Sequence, residues 1–422
     1  MKPKIAILVG ALVAGTLPSQ GTVAIKAGRL IPINGEELHN ATVLIEGGKI
    51  TAVGTAVEVP WDAEIIDASD KVVMPTYVVA HATAGFRSGN ENLANTPYIT
   101  VADGFDPSNA FFEESLRNGV GTVHVIQGNA TLFGGQGMVV KPYGKTPEEM
   151  AVRSLSGIKL SLAATNGSRM AQIQKMRRGL EDIVEYIEDF EVRRQEFERE
   201  KAAGATTAES FDEEMDPLKK PMVDVLQGNT RVFFYVPSAV ELAEARRLIA
   251  KYNLDVVLVL GPRCHQAVES LAQSGIPVVL DATMEYETTD SETAAVSSHC
   301  PAGLLTSAGK EYALSLNTGA AAMDRYPWWQ MAVAMRNGVS REEALAALTI
   351  VPARILGLDA EVGSLEIGKS ANLQILTGDP LKATSWVETV LLDGEVVYER
   401  EKDTRLQHLF GKDRTDRQPA KN

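Results

Sequence analysis

The stretch that decides the fold is VVMPTYVVAHATAG, residues 72–85. Its first half is a short apolar run rich in valine, a pattern typical of a buried β-strand. Its second half is a set of small residues around a single histidine, His81. A buried strand that ends in small residues beside a histidine indicates the mouth of a binding site. We therefore expect the chain to be organised around this strand, with a site at its carboxyl end.

The composition is that of an ordinary folded protein and argues against several classes of partner. The 422 residues are 45% hydrophobic and 23% charged, which allows one large domain and a smaller one. The formal net charge of −14 disfavours nucleic acid and anionic membranes, because both require clustered lysine and arginine. Two cysteines, Cys264 and Cys300, are too few for a disulfide framework or a cysteine-rich zinc site.

The amino terminus has the pattern of a secretory signal. Residues 1–4 are basic, residues 5–15 are apolar, and residues 19–21 supply a small-x-small cleavage pattern. The apolar run is too short to span a bilayer. We predict that residues 1–21 are a signal peptide and that the mature protein is exported, to the periplasm or the medium. The alternative is that this run is a buried first strand.

Short β patterns occur at both ends of the chain. Residues 22–73 contain predicted strands, with a hairpin signal at Gly47-Gly48, and residues 359–404 contain more strands around a turn at Asp393-Gly394. Neither end has enough strands to form a stable sheet alone. We therefore expect the two ends to join in one small β-sandwich.

Residues 74–358 alternate short apolar runs with helical segments. This alternation predicts βα units around a parallel sheet, and a closed (β/α)8 TIM-type barrel matches the length. The long charged run at residues 171–203, together with the acidic segment up to residue 221, predicts a helical insertion on the barrel surface. Residues 405–422 form a polar tail. The predicted fold class is α/β, a barrel with a small β domain.

Three motifs resemble those of the amidohydrolase superfamily, and in particular the secreted bacterial members of its imidazolonepropionase-related group. Pro75, His81 and Gly85 match the superfamily's first barrel strand. Residues 134–141 are similar to a glycine-rich loop of that group, and residues 338–373 are similar to the segment that leads from its last barrel helix into its β domain. The resemblance covers most of residues 22–400 and implies the same barrel fold.

The resemblance also implies a metal centre, of which this sequence retains one position. The superfamily centre takes two histidines from strand 1, a carboxylate or carboxylated lysine, histidines from strands 5 and 6, and an aspartate from strand 8. Such a set suits zinc and similar divalent ions. Only His81 matches. The other positions carry different residues, namely Thr83 for the second histidine, Tyr235 on strand 5, Leu260 on strand 6 and Gly319 for the aspartate.

Other polar residues are candidates for the lining of the pocket. Gln136 belongs to the glycine-rich segment, Lys159 could be carboxylated but would lack partners, and Arg169 could meet a carboxylate. Asp281 and Glu285 could hold a substrate amine. The remaining histidines are expected in the core, at the surface or away from the site; they are His39, His124, His265, His299 and His408.

Two functions follow from this pattern. In the first, the protein is amidohydrolase-like but has lost metal-dependent hydrolysis and needs no cofactor. It would bind a small molecule at the barrel mouth, or pair with an active paralogue or a second copy of itself. In the second, it is an active hydrolase of carbon–nitrogen bonds, in dipeptides or non-peptide amides, with a changed centre. The ligand count favours the first, because a catalytic zinc takes three protein ligands and a water.

Overall fold

The structure is a computed structural model that describes residues 21–410 except 88, 91–92, 164–167, 206–209 and 317–322. The predicted signal peptide, apart from its last residue, therefore lies outside the described residues, and so do Gly319 and the end of the tail. Within the described part of the chain, no helix is long and apolar enough to cross a membrane.

Strands from both ends of the chain form one seven-stranded sheet, here called the terminal sheet, in the order β17–β16–β15–β4–β1–β2–β3. Neighbouring strands are antiparallel except β1 and β4, which run parallel. The strands are β1 (Val23–Leu30), β2 (Leu38–Glu46), β3 (Lys49–Gly54), β4 (Glu64–Pro75), β15 (Leu373–Leu376), β16 (Val387–Leu392) and β17 (Glu395–Glu399).

The terminal sheet curls until its β2–β3 hairpin meets the segment that leads into β15. The Ile50 amide donates to the Lys369 carbonyl, and the Ala371 amide donates to the Gly48 carbonyl, both at 2.9 Å. Gly48 has a φ of +76°, and a Cβ there would lie 2.7 Å from the carbonyl oxygen of Asp393, so this turn requires glycine. The predicted union of the two ends is thus observed as one curled sheet; the described strands include no second sheet that would make a sandwich.

Eight strands form the barrel sheet, in the order β5–β6–β7–β8–β9–β10–β11–β14. Its edge strands β5 and β14 are bridged by residues 347–348, because Val78 donates to Leu348 and Leu314 donates to Ala347, both at 2.8 Å. The barrel is nearly closed. The strands are β5 (Tyr77–Ala82), β6 (Val120–Val125), β7 (Phe133–Val140), β8 (Ala151–Ser161), β9 (Val232–Ser238), β10 (Val256–Arg263), β11 (Val278–Leu280) and β14 (Ala313–Leu314).

One strand departs from the predicted (β/α)8 pattern. β7 runs antiparallel to both β6 and β8, so this part of the barrel is a meander that needs no crossover helix. The prediction that residues 134–141 form a loop was wrong, because all of them except Lys141 lie in this strand. Its glycines admit close neighbours: a Cβ at Gly135 would lie 2.8 Å from the Ile99 carbonyl oxygen, and one at Gly137 would lie 2.7 Å from His124.

The stretch at residues 72–85 contributes to both sheets instead of forming one strand. β4 ends in the terminal sheet at Pro75, which has no amide hydrogen with which to continue a ladder. The Thr76 amide donates to Asn372 of the terminal sheet, and the next amide, of Tyr77, donates to Gly119 beside the barrel. The chain therefore changes sheets at Thr76.

Helices surround the barrel, and the remaining strands, β12 (Tyr286–Thr289) and β13 (Val296–His299), form a separate hairpin. One of the helical segments that alternate with the apolar runs is α5, residues 239–252, which ends at Asn253 in the left-handed conformation. The predicted insertion is α3, whose first turn is capped by Ser168. The helices are α1 (Ala110–Arg117), α2 (Pro147–Met150), α3 (Arg169–Ala202), α4 (Lys220–Leu226), α5 (Ala239–Tyr252), α6 (Pro301–Ser307), α7 (Pro327–Arg336), α8 (Arg341–Ala346), α9 (Ile350–Leu356) and α10 (Thr404–Phe410).

Candidate functional site

A polar cavity of about 120 Å³ opens at the carboxyl ends of the barrel strands. Thr83 follows β5, Asn129 lies between β6 and β7, Asp281 follows β11 and Ser315 follows β14; all four line the cavity, together with His81. In barrels of this type, ligands bind at this end because the strand ends and their loops converge there. The position predicted for the site is therefore the position of this cavity.

A bulge in β5 aims His81 into the barrel. The pairing of β5 with β6 passes from Val79–Val123 to Ala82–Val125, so β5 has one residue more than its partner over this interval. The neighbouring Ala80 packs in the inner core. An extra residue in a strand changes the side to which the next side chain points, which is how His81 reaches the interior.

His81 contacts Lys159, which lies on the facing strand β8. The Nζ atom of Lys159 is 2.6 Å from Nε2 of His81 and 2.7 Å from Oδ1 of Asn129, and it lies 5.6 Å from the ring centroid of Tyr235. Lys159 has no exposed surface, and His81 is 4% exposed. The lysine lies directly behind the cavity wall that His81 and Asn129 form.

The protonation states of this pair follow from burial. Burial lowers the pKa of Lys159 to about 7, although the charge of Asp281 acts in the opposite direction. Burial, and next the positive charge of Lys159, hold the pKa of His81 well below its usual value. His81 is therefore neutral near pH 7, and its Nε2 accepts a hydrogen bond from Lys159.

Asp281 lines the cavity, whereas Tyr235, a predicted lining residue, lies outside the wall and forms a hydrogen bond with Asp281. Burial, followed by the charge of Asp281 and a hydrogen bond with it, raises the pKa of Tyr235. The phenol thus stays protonated. The hydroxyl of Ser315 is buried and has no hydrogen-bond partner among the described residues. A buried hydroxyl of this kind in a cavity wall is a natural contact for a bound molecule or a water.

His124 lies in the core behind the site, where the sequence analysis placed it. Its Nδ1 is 2.9 Å from the carbonyl oxygen of Ala80, and its ring packs against Phe233 with centroids 4.1 Å apart. Burial lowers its pKa to about 4, so the ring is neutral at physiological pH.

The remaining candidates lie outside the cavity wall. Gln136 donates to the Pro97 carbonyl at 3.3 Å, and Arg169 does meet a carboxylate, but that of Glu241 on α5. Glu285 pairs with Arg336. Gly319 lies outside the described residues. Sequence reasoning missed Asn129 and Ser315. The only local signals were that Asn129 follows a predicted barrel strand and that Ser315 lies near the end of another.

Two other histidines, His265 and His299, are brought together by the fold. Their rings stack with centroids 4.3 Å apart and planes 10° from parallel, and His299 Nε2 lies 2.8 Å from the Thr288 hydroxyl. The β12–β13 hairpin creates this contact. Nothing in the sequence around His265 or His299 indicated that the two rings would meet.

The residues present do not fit the metal centre that the resemblance implies. Among the described residues, no group of three His, Cys, Asp or Glu side chains is arranged to hold a metal ion. The Nε2 lone pair of His81 accepts a hydrogen bond from Lys159. A divalent ion bound to that nitrogen would lie in contact with the lysine ammonium group and would be repelled by its charge. In this arrangement the amine of Lys159 lies on the Nε2 side of His81, where the resemblance would place a metal ion.

Comparisons with known proteins show which solved structures and which family model this chain is similar to. Residues 301–398 match the family model described as Amidohydrolase family. The structure is similar to that of an amidohydrolase from Thermotoga maritima MSB8, with 27% identity, a TM-score of 0.78, and coverage of 90% of this chain and 100% of that chain. No curated protein sequence matches the chain.

Two more distant solved structures show the same fold. A second amidohydrolase has 16% identity and a TM-score of 0.53, over 90% of this chain and 99% of that one. A prolidase complexed with N-methylphosphonate-L-proline has 16% identity and a TM-score of 0.50, over 90% and 100%. The predicted resemblance to amidohydrolases is thus confirmed for the fold and the family segment; the imidazolonepropionase-related group stays a prediction.

Proposed function

We propose that this chain is an amidohydrolase-fold protein that works without a divalent metal and binds a small polar molecule at the barrel mouth. The observation that carries the proposal is the hydrogen bond from Lys159 to Nε2 of His81, at 2.6 Å. This contact uses the one nitrogen of the predicted centre that could bind a metal. The amine of Lys159 occupies the place beside His81 that an exchangeable metal ion would take.

The cavity wall indicates which groups the bound molecule carries. Asp281 offers a carboxylate, while Asn129, Thr83 and Ser315 offer amide and hydroxyl groups. These side chains suit a small molecule that has a hydrogen-bond donor for Asp281 and an acceptor for Ser315. The proposal also includes pairing with an active paralogue or with a second copy of the chain. It includes export through the signal-like residues 1–21 as well, and export rests on the sequence pattern alone.

A second candidate is metal-independent hydrolysis of carbon–nitrogen bonds. It is favoured by the pKa of Lys159, because a value near 7 suits a general base at neutral pH. Lys159 is fully buried, so it would exchange its proton with the substrate through the imidazole of His81, which lines the cavity, while Asn129 would hold the amine in place.

Elemental analysis after dialysis, with hydrolysis assays on dipeptides, hydantoins and lactams, tests the proposal. We expect well under one equivalent of zinc, manganese or iron per chain and no turnover with added metal. Lys159→Glu should raise zinc binding, because it removes the cation and adds a carboxylate beside His81. Lys26→Glu, on an exposed face of β1, is the matched control and should change nothing.

The outcomes separate the two candidates. Stoichiometric, tightly held metal in the wild-type protein, or metal-dependent turnover that His81→Ala abolishes, would refute the proposal. Metal-free turnover that Lys159→Met abolishes would establish the second candidate instead. Gly319→Asp alone should create no activity, because it restores a single ligand.

A further inference from the structure

A second, larger cavity lies between the barrel and the terminal sheet. Its volume is about 560 Å³, and α1, α7, the β15–β16 segment and α10 contribute to its walls. We call it the interface cavity and define it by Trp328, Trp386, Phe410, Arg325, Arg400 and Arg405. It reaches Tyr77 at the amino end of β5, whereas His81 lies near the carboxyl end of the same strand. Small-molecule sites have volumes of roughly 300–1,000 Å³ and prefer interfaces between structural units.

The rim of the interface cavity exposes apolar side chains that a soluble surface would ordinarily cover. Trp386 is 51% exposed, Phe410 is 77% exposed, and Met323 and Leu409 are also exposed. All four line the same cavity. A cluster of exposed aromatic and aliphatic groups around one concave surface marks a binding site more often than scattered single residues do.

The charge of the wall is positive, although the protein as a whole is acidic. The charged lining residues are four arginines and one glutamate. Arg117 is committed to Asp403, which it contacts at 2.7 Å. Arg325 lies 3.6 Å from Glu114, and Arg405 lies 3.7 Å from an exposed Glu113, so both pairs are loose.

Arg400 is the arginine best placed to meet a ligand. Its guanidinium lies over the ring of Trp386, 4.6 Å from the centroid. Within the part of the chain that the structure describes, no carboxylate forms an ion pair with it. A guanidinium held by an aromatic ring keeps its donors available to an oxyanion.

We propose that the interface cavity binds a small amphipathic anion, a carboxylate that carries an aromatic or aliphatic body. The apolar rim takes the body, and Arg400, with Arg325 and Arg405 nearby, takes the carboxylate. The chemistry differs from that of the polar cavity at His81, so this proposal stands whether or not the protein hydrolyses anything.

The test uses 8-anilinonaphthalene-1-sulfonate, a fluorescent aromatic anion, with the full chain. We expect saturable binding that decanoate displaces and decyltrimethylammonium, of equal chain length but opposite charge, does not. Arg400→Gln should weaken binding of the probe about tenfold, because a charge-assisted contact is lost. Arg400→Lys should restore part of the affinity, and Trp386→Ala should weaken binding as well. Arg193→Gln, a partly exposed arginine on α3, is the matched control and should have no effect.

Several results would overturn the proposal. One is an unchanged affinity for the probe in Arg400→Gln and Trp386→Ala. Another is equal displacement of the probe by decanoate and by the cationic amphiphile. A third is binding of the probe only to a variant truncated after Phe410. The last would make residues 411–422 the occupant. Sedimentation that shows a dimer unable to bind the probe would make a second copy of the chain the occupant.

Discussion

At the scale of single residues, Lys159 is a buried ionisable side chain beside the candidate site. Its ammonium group is held by two hydrogen bonds and an aromatic ring, in a place without exposed surface. Burying an ionisable group costs free energy because the charged form loses its hydration. Side chains that lower the folding stability in this way are typical of functional positions, because the groups that a function requires are often not the ones that stabilise the fold best.

The first residue-scale prediction concerns stability and pH. The pKa of Lys159 is 10.5 in its unperturbed state and about 7 in the fold. The unfolded chain therefore binds more protons between these values, and wild-type stability rises with pH across this interval. At pH 7, Lys159→Met should be more stable than wild type by about 2 kcal/mol, after the lost hydrogen bonds are counted. Denaturant midpoints at pH 7 and 9.5 measure the difference, which should shrink at the higher pH.

Lys26→Met is the control for this experiment, because Lys26 is an exposed lysine of β1. It should alter stability little, and equally at both pH values. A difference between Lys159→Met and wild type that does not change with pH would contradict the assignment of a lowered lysine pKa.

At the scale of elements, α3 is held to the barrel through buried carboxylates on α5. Arg169 pairs with Glu241, and Arg177 makes two hydrogen bonds with Glu244 at 2.6 and 2.7 Å. Both glutamates are 4% exposed. Most of the helix faces solvent, and its buried residues are few, namely Gln172, Met176, Leu180 and Phe190. The ion pairs therefore fix the direction in which the helix leaves the barrel.

The element-scale prediction is that Arg177→Met destabilises the protein by about 1–2 kcal/mol at pH 7. The substitution leaves Glu244 buried with a single weaker partner, Arg247 at 3.4 Å. The hydrogen bonds from Arg177 lower the pKa of Glu244, so the stability they provide is present above the ordinary glutamate pKa and is lost as pH falls. Denaturant midpoints at pH 7 and pH 4 should show the penalty shrink. Arg194→Met removes an exposed pair on the same helix, and should cost less than about 0.5 kcal/mol; equal costs for the two variants would refute the argument.

At the scale of the whole molecule, the barrel and the terminal sheet meet at Asp379. Arg29 of β1 and Arg341 of α8 both donate to its carboxylate, at 2.8 and 3.0 Å. Burial alone would raise the pKa of Asp379, but these hydrogen bonds outweigh it and hold the pKa at about 2. The first strand, a late barrel helix and the connection between β15 and β16 are thereby tied together.

The whole-molecule prediction is that Asp379→Asn lowers stability by about 2 kcal/mol at pH 7, since two partly buried guanidinium groups lose their better carboxylate partner. Each keeps only the longer contact with Glu37, at 3.3 and 3.4 Å. The folded pKa lies below the unfolded value of 3.8. The contribution is therefore complete above about pH 4 and is lost as pH falls towards 2. Unfolding midpoints between pH 7 and pH 2.5 measure it, with the exposed Asp62→Asn as the control. A penalty that stays constant to pH 2.5 would show that shape, and not charge, accounts for the effect.

Much of the architecture was predictable because it depends on local patterns. The alternation of apolar runs and helical segments predicted a helix where α5 lies, and too few strands at either end implied that the ends join in one β domain. The motif around His81 placed the site at the carboxyl end of a barrel strand. These features are set by residues close together in sequence, or by the simple need to pair strands.

Other features were decided only when distant residues met in space. The direction of β7 depends on which neighbours it pairs with, and the partner of His81 is Lys159, 78 residues away. The wall of the interface cavity is formed by residues that are as far apart in the sequence as Tyr77 and Phe410. The sequence by itself determined the class of fold, because periodicity and turn chemistry are local, and it predicted a site at the carboxyl end of the strand that carries His81. Tertiary structure decided which charges face each other there, because burial and electrostatic coupling arise only between packed elements.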